Sequence, residues 1–189
     1  MRVGEGRDMK VTREKAAENR ERILTGAARL FREQGLSGVG VDALAEAAGL
    51  THGSLYSQFG SKERLAEEAL RHASRTSSGR MSDARTLDDF VARYLTPEHR
   101  ERRGDGCVVA ALGCEMPRHS AAIRRGFTDA VRAMVGRIAG LKPGRRSSED
   151  AALAAAATMI GALTLARAVD DPDLSDRILA AARNQLTSR

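Results

Sequence analysis

The chain has 189 residues, a formal net charge of +6 and 3% aromatic residues, enough length for one or two domains with a real core. The charge permits nucleic-acid binding. Lys/Arg and Asp/Glu are mixed in both halves, so affinity must come from placed charges and helix ends, while the scarcity of aromatics argues against base stacking on single strands or RNA.

Residues 1–13 are polar and charged and read as a flexible basic arm. Arg2, Arg7, Lys10 and Arg13 would reach phosphates or a minor groove, or the segment is a plain solvated tail. The first helix spans roughly residues 13–33, with Ile23, Ala27, Leu30 and Phe31 as its buried stripe and Gly35 as its stop. The stretch VDALAEAAGLTHGSLYSQF (41–59) organises the chain. Val41, Leu44, Ala45 and Ala48 recur at helical spacing, and Gly49 sits where a left-handed residue would end that helix. Leu50 plugs inward, Thr51 caps a second helix, and Leu55 and Phe59 give it a buried side. This is the helix-turn-helix pattern, whose second helix lies in the DNA major groove.

The recognition helix is expected over residues 51–58. Thr51, His52, Gly53, Ser54 and Ser57 are compact enough for close approach to base edges. Tyr56 would pack its ring and offer its hydroxyl to a phosphate, and Lys62 at the start of the next helix is a phosphate candidate. Ser61 caps that fourth helix, with Leu65, Ala69 and Ala73 inward, and RTSSGRMSDAR (75–85) marks the clearest composition shift. The predicted division is an arm (1–13), a DNA-binding domain (14–62) and a helical regulatory and dimerisation domain (63–189).

These residues resemble the N-terminal signature of the tetracycline-repressor (TetR/AcrR) family: Ile23, Ala27, Phe31, Gly35, Val41, Ala45, Ala48-Gly49, Gly53, Leu55-Tyr56, Phe59 and Ser61-Lys62-Glu63. The resemblance covers roughly residues 16–65. It implies an all-α homodimeric repressor with a helix-turn-helix domain and a C-terminal ligand domain. Gly40 stands where the family usually places a Ser or Thr whose hydroxyl touches phosphate.

Five further helices are predicted: around 87–94 stopped by Pro97, 107–116 stopped by Pro117, 121–141 ended by Pro143-Gly144, 149–169 and 173–186. That makes nine, with every proline between helices. Large or pliable side chains on the middle helices, Phe90, Tyr94, Leu112, Met116, Phe127 and Met159, are the pocket candidates and equally the expected core. The helix over 151–168 is apolar nearly all round and must be buried on all faces. Leu153, Ala157, Ile160 and Thr164, with Leu174 and Ile178 on the next helix, are expected to form a four-helix dimer interface.

Cys107 and Cys114, seven residues apart on one helix, would have Cα atoms about 10.5 Å apart, too far for a disulfide. Cys107 follows Arg102 and Arg103 at a helix N-terminus, which favours a reactive, redox-sensing thiol. GCVVAALGCE also resembles the matching part of electrophile-sensing family members, and two small buried residues are the plainer reading. Glu115 and His119 are separated by Pro117, so no metal site is expected. No cofactor and no catalytic set are expected either. The expected partners are an operator duplex, a second copy of the chain and a small-molecule effector of unknown identity. No membrane partner is expected. Cysteine usage and the absence of a signal-peptide pattern point to the cytoplasm.

Overall fold

Ten α-helices and two 3₁₀ turns account for most of the described residues in the computed structural model, which describes residues 5–81, 83–141 and 149–187 and the side chains of 14–76, 83–141 and 149–187. The order is α1 Glu5–Gln34, α2 Val41–Ala47, α3 His52–Phe59, α4 Lys62–Met81, α5 Leu87–Tyr94 and α6 Pro97–Glu101. A 3₁₀ turn Arg103–Asp105 leads to α7 Val108–Leu112, and a second turn Met116–Arg118 leads to α8 Ala121–Gly140, α9 Glu149–Ala168 and α10 Pro172–Thr187.

Helix α1 is already formed at Glu5, so part of the stretch read as an arm has helical backbone. Arg2 lies outside the described residues, as do the side chains of Arg7, Lys10 and Arg13. The composition shift after Arg75 does not break α4, which continues to Met81.

The prolines behave differently from expectation. Pro97 and Pro172 open helices instead of only following them, because the first helical turn has no use for the missing N–H. Thr96 caps α6 by accepting from His99 N–H at 3.1 Å, and the Asp171 carboxylate accepts from Leu174 N–H at 3.0 Å. The helix expected over 107–116 is cut short at Leu112, and Pro117 sits inside the second 3₁₀ turn. Pro143 lies outside the described residues.

Two apolar clusters form the core. The first gathers Ile23, Phe31, Leu44, Leu55, Phe59 and Leu65 from α1–α4 and extends to Val109 and Leu112 of α7. Each such side chain contributes about 1.5–3 kcal/mol when fully buried. The second joins α5, α8, α9 and α10 around Phe90, Tyr94, Ile138, Met159 and Leu163. Cys107, Val131 and Ile160 pack against both clusters. Helix α4 packs on α1 at one side and on α8 at the other, so it belongs to both halves.

Helix α9 buries Ala152, Ala155, Ala156, Met159, Ala162, Leu163 and Ala166. Its other side is open within this chain, where Leu153 is 43% and Leu165 57% exposed.

Candidate nucleic-acid interface and regulatory cavity

The turn between α2 and α3 forms as its sequence dictates. Gly49 takes φ 64°, and Leu50 N–H donates back to the Ala45 carbonyl at 2.9 Å. Thr51 caps α3 by accepting from Ser54 N–H at 3.3 Å, and its hydroxyl also meets the Ser54 hydroxyl at 2.9 Å. Gly40 caps α2 with no side-chain bond, as a residue without a hydroxyl must. Ser61 caps α4 through Arg64 N–H at 3.1 Å, which places Lys62 at the first helical position.

Helix α3 buries Leu55 and Phe59 and leaves His52, Gly53, Tyr56 and Ser57 exposed on its other side, with Ser54 half-buried. Tyr56 is not packed inward as expected. It stacks on the His52 ring, centroids 5.2 Å apart and planes 22° apart, because i and i+4 share a helix face. His52 Nδ1 lies 3.1 Å from the Asp42 carboxylate of α2. A side chain at Gly53 would meet no other atom of the chain within 4 Å, and the backbone there is unstrained. No packing contact among the described residues requires glycine at that position.

Arg20 of α1 steadies the back of this unit. Its guanidinium lies 4.4 Å from the Phe59 ring centroid and pairs with Glu68 of α4. Deeper between the same two helices, His72 is buried, with Nε2 3.0 Å from the Thr25 hydroxyl and Nδ1 3.3 Å from Glu21. Burial holds its ring below the ordinary value of 6.5, against an opposing pull from Glu21.

The second feature is a cavity of about 540 Å³ between α5, α6, α7 and α8, within the size range of small-molecule sites. Phe90 and Tyr94 line it, stacked with centroids 6.2 Å apart. Val108, Val109, Ala130 and Met134 complete its apolar wall. The other four pocket candidates do not line it. Leu112, Met116 and Met159 are core residues, and Phe127 is half-buried against the first cluster. Residues without hydrophobic periodicity supply the rest of the wall: Glu98, His99, Arg102, Asp105 and Gly106 come together only through the turns around the first 3₁₀ segment.

His99 organises that wall. Its Nδ1 donates to the Tyr94 carbonyl at 2.7 Å and its Nε2 accepts from Cys107 N–H at 3.0 Å, so the ring is held neutral in one tautomer. The Tyr94 ring meets it edge-on at 4.6 Å. The Tyr94 hydroxyl is fully buried without a hydrogen-bond partner, and burial pushes its ionisation well above the usual value, with the Cys107 thiol nearby adding to the rise.

Cys107 itself precedes α7 rather than lying in its first turn, and its N–H is taken by His99. Because α7 ends at Leu112, the exposed Cys114 does not share a helix with the half-buried Cys107. Glu115 braces the fold. Its carboxylate accepts from Leu36 N–H at 3.0 and 3.1 Å, fastening the turn after α1.

The expected interface residues divide. Leu153, Ala157 and Leu174 are exposed, Ile160 and Ile178 are half-buried against the second cluster, and Thr164 turns inward to the Ala110 carbonyl at 3.4 Å. Leu165, the most exposed large apolar side chain among the described residues, lies on the open side of α9 and does not follow the expected interface periodicity.

An all-helical chain whose N-terminal helices form a helix-turn-helix unit defines the class. Residues 23–69 match the family of bacterial regulatory proteins of the tetR type. The HTH-type transcriptional repressor KstR2 of Mycolicibacterium smegmatis is 44% identical over 55 residues, covering 29% of this chain and 27% of that protein. The HTH-type transcriptional regulator AcrR of Shigella flexneri is 42% identical over 57 residues, 30% and 26% of the two chains. The match thus spans about a quarter of these relatives' length. Over the whole fold, the reduced form of Escherichia coli NemR superposes with a TM-score of 0.71 at 21% identity, covering 90% of this chain and 95% of that one. A TetR transcriptional regulator from Chloroflexus aurantiacus gives 0.73 at 23% identity, covering 93% and 98%. The DNA-binding segment thus matches the tetR family, and the whole chain shares the all-helical fold of solved TetR regulators.

Proposed function

We propose that this protein is a cytoplasmic transcriptional repressor that binds a palindromic operator as a homodimer and releases it when a small molecule enters the cavity. The observation that carries the reading is the outward face of α3, where His52, Gly53, Tyr56 and Ser57 stand exposed with no internal partner requiring Gly53. A recognition helix presents such a face to the major groove, and two copies one DNA turn apart turn short contacts into specific binding. Lys62 and the Tyr56 hydroxyl would contact phosphates at the edge of that face. The open side of α9, with Leu153 and Leu165, and Leu174 of α10 supply the apolar surface for a second copy.

A route from cavity to DNA-binding unit supports effector release. The 3₁₀ turn beside the cavity packs directly on α1, where Arg32 Nε donates to the Gly104 carbonyl at 2.6 Å. Asp105, in the same turn, lines the cavity. An occupant that displaces this turn therefore acts on the helix that carries α2 and α3, provided it favours one arrangement over the other.

Selection from random duplex DNA at stated salt tests the reading. A palindromic consensus is expected, and Lys62→Ala combined with Tyr56→Ala should weaken binding to it at least tenfold without changing the unfolding midpoint. Recovery of no consensus at low salt would overturn the proposal.

A further inference from the structure

We infer that the cavity takes a neutral, largely apolar ligand of one or two fused rings rather than an organic ion; this deepens the effector reading and rests on it. The permanent charges of its wall are already engaged, and several of them stand at the solvent edge. Arg93 pairs with Asp89 at 2.7 Å, and Arg102 pairs with Glu98 at 2.8 Å and Asp105 at 3.4 Å. The arginines of these pairs are about half exposed. Arg137 donates to the Ala84 carbonyl at 2.7 Å.

Among the described residues, the apolar inner wall itself carries no charge, and the Arg167 guanidinium behind it is held by the His99 and Arg100 carbonyls. Phe90, Tyr94, Val108, Val109 and Ala130 are all at most 5% exposed. His99 is the only imidazole there, and its two hydrogen bonds demand the neutral ring: a proton on Nε2 would oppose the Cys107 N–H that now donates to it. An ion entering this space would lose its water without gaining a free counter-charge, at a cost of several kcal/mol. A neutral ring system meets none of that cost. The Phe90 and Tyr94 rings, 15° from parallel, offer it an aromatic wall.

Three probes of one shape test this: 2-acetylnaphthalene, 2-naphthoate and 2-naphthylmethylammonium, titrated into the full-length protein at pH 7.5. Isothermal titration calorimetry reads binding to the protein and to its variant alike. The neutral ketone is expected to bind at least tenfold more tightly than either ion. Ala133→Trp, at an exposed position of the wall on α8, should weaken its binding at least tenfold while leaving the far-ultraviolet circular dichroism unchanged. An ion binding as tightly as the ketone overturns the inference and leaves the effector reading standing. Ketone binding indifferent to Ala133→Trp, or no binding by any probe, also overturns it. Failure of the repressor reading shows separately, in the duplex selection, which uses no probe.

Discussion

His72 shows what one buried side chain does to the junction of α1 and α4. Its ring faces Thr25, Glu21 and Arg32 across the helix pair and Arg75 along its own helix. Burial favours the neutral form, so the folded state binds its proton less readily than the unfolded chain. A lowered folded value means the stabilisation is complete above the ordinary 6.5 and is lost as pH falls through the folded value. The urea midpoint should therefore drop between pH 7.5 and 5.5, and His72→Gln should shrink that drop. An identical drop in both proteins would remove His72 as the cause. Nothing in the local sequence announces this residue. It sits in a charged, amphipathic helix, and only the packing of α4 on α1 removes it from water.

At the scale of elements, local chemistry was readable and convergence was not. The α2 turn α3 unit follows from a short run: Gly49 for the left-handed residue, Thr51 for the cap, and Leu55 and Phe59 for the buried side. Each acts on neighbours within a few positions. Helix α6 was hidden because Pro97 reads equally as a stop and as a first helical residue, and only Thr96 ahead of it, as cap, decides between them. The cavity wall from Glu98 to Cys107 follows no period, since a 3₁₀ turn and a five-residue helix bring it together. That turn also packs directly on α1. A Cβ at Gly104 would lie 2.2 Å from the Glu33 carboxylate oxygen and 2.8 Å from Arg29 Cγ, both on α1. Gly104→Ala must move the Glu33 and Arg29 side chains off the turn, loosening the seat that holds the Arg32 bond, at about 1 kcal/mol of stability. Its affinity for the selected duplex should change several-fold, although no DNA-facing residue is altered. Unchanged anisotropy titrations would show that α1 is not the route from cavity to DNA.

For the whole molecule, the open side of α9 is the feature that one chain leaves unfinished. Leu153, Leu165 and Leu174 are large apolar side chains held in water, each losing stabilisation that burial would return. In the dimeric reading Leu165→Glu should convert the protein to a monomer in sedimentation velocity at micromolar concentration while its helix content stays unchanged. A dimer of unaltered stability would place the interface elsewhere.

If Leu165 seats a second copy, as proposed, its consequence reaches the control of genes through mass action. A single α3 carries no permanently charged side chain of its own, so on that reading two protomers bind DNA jointly. Below the dimer dissociation constant, promoter occupancy then rises with the square of protomer concentration, and above it in simple proportion. On that reading, the apolar area exposed on α9 and α10 would set the protein concentration at which a promoter passes from expressed to silent.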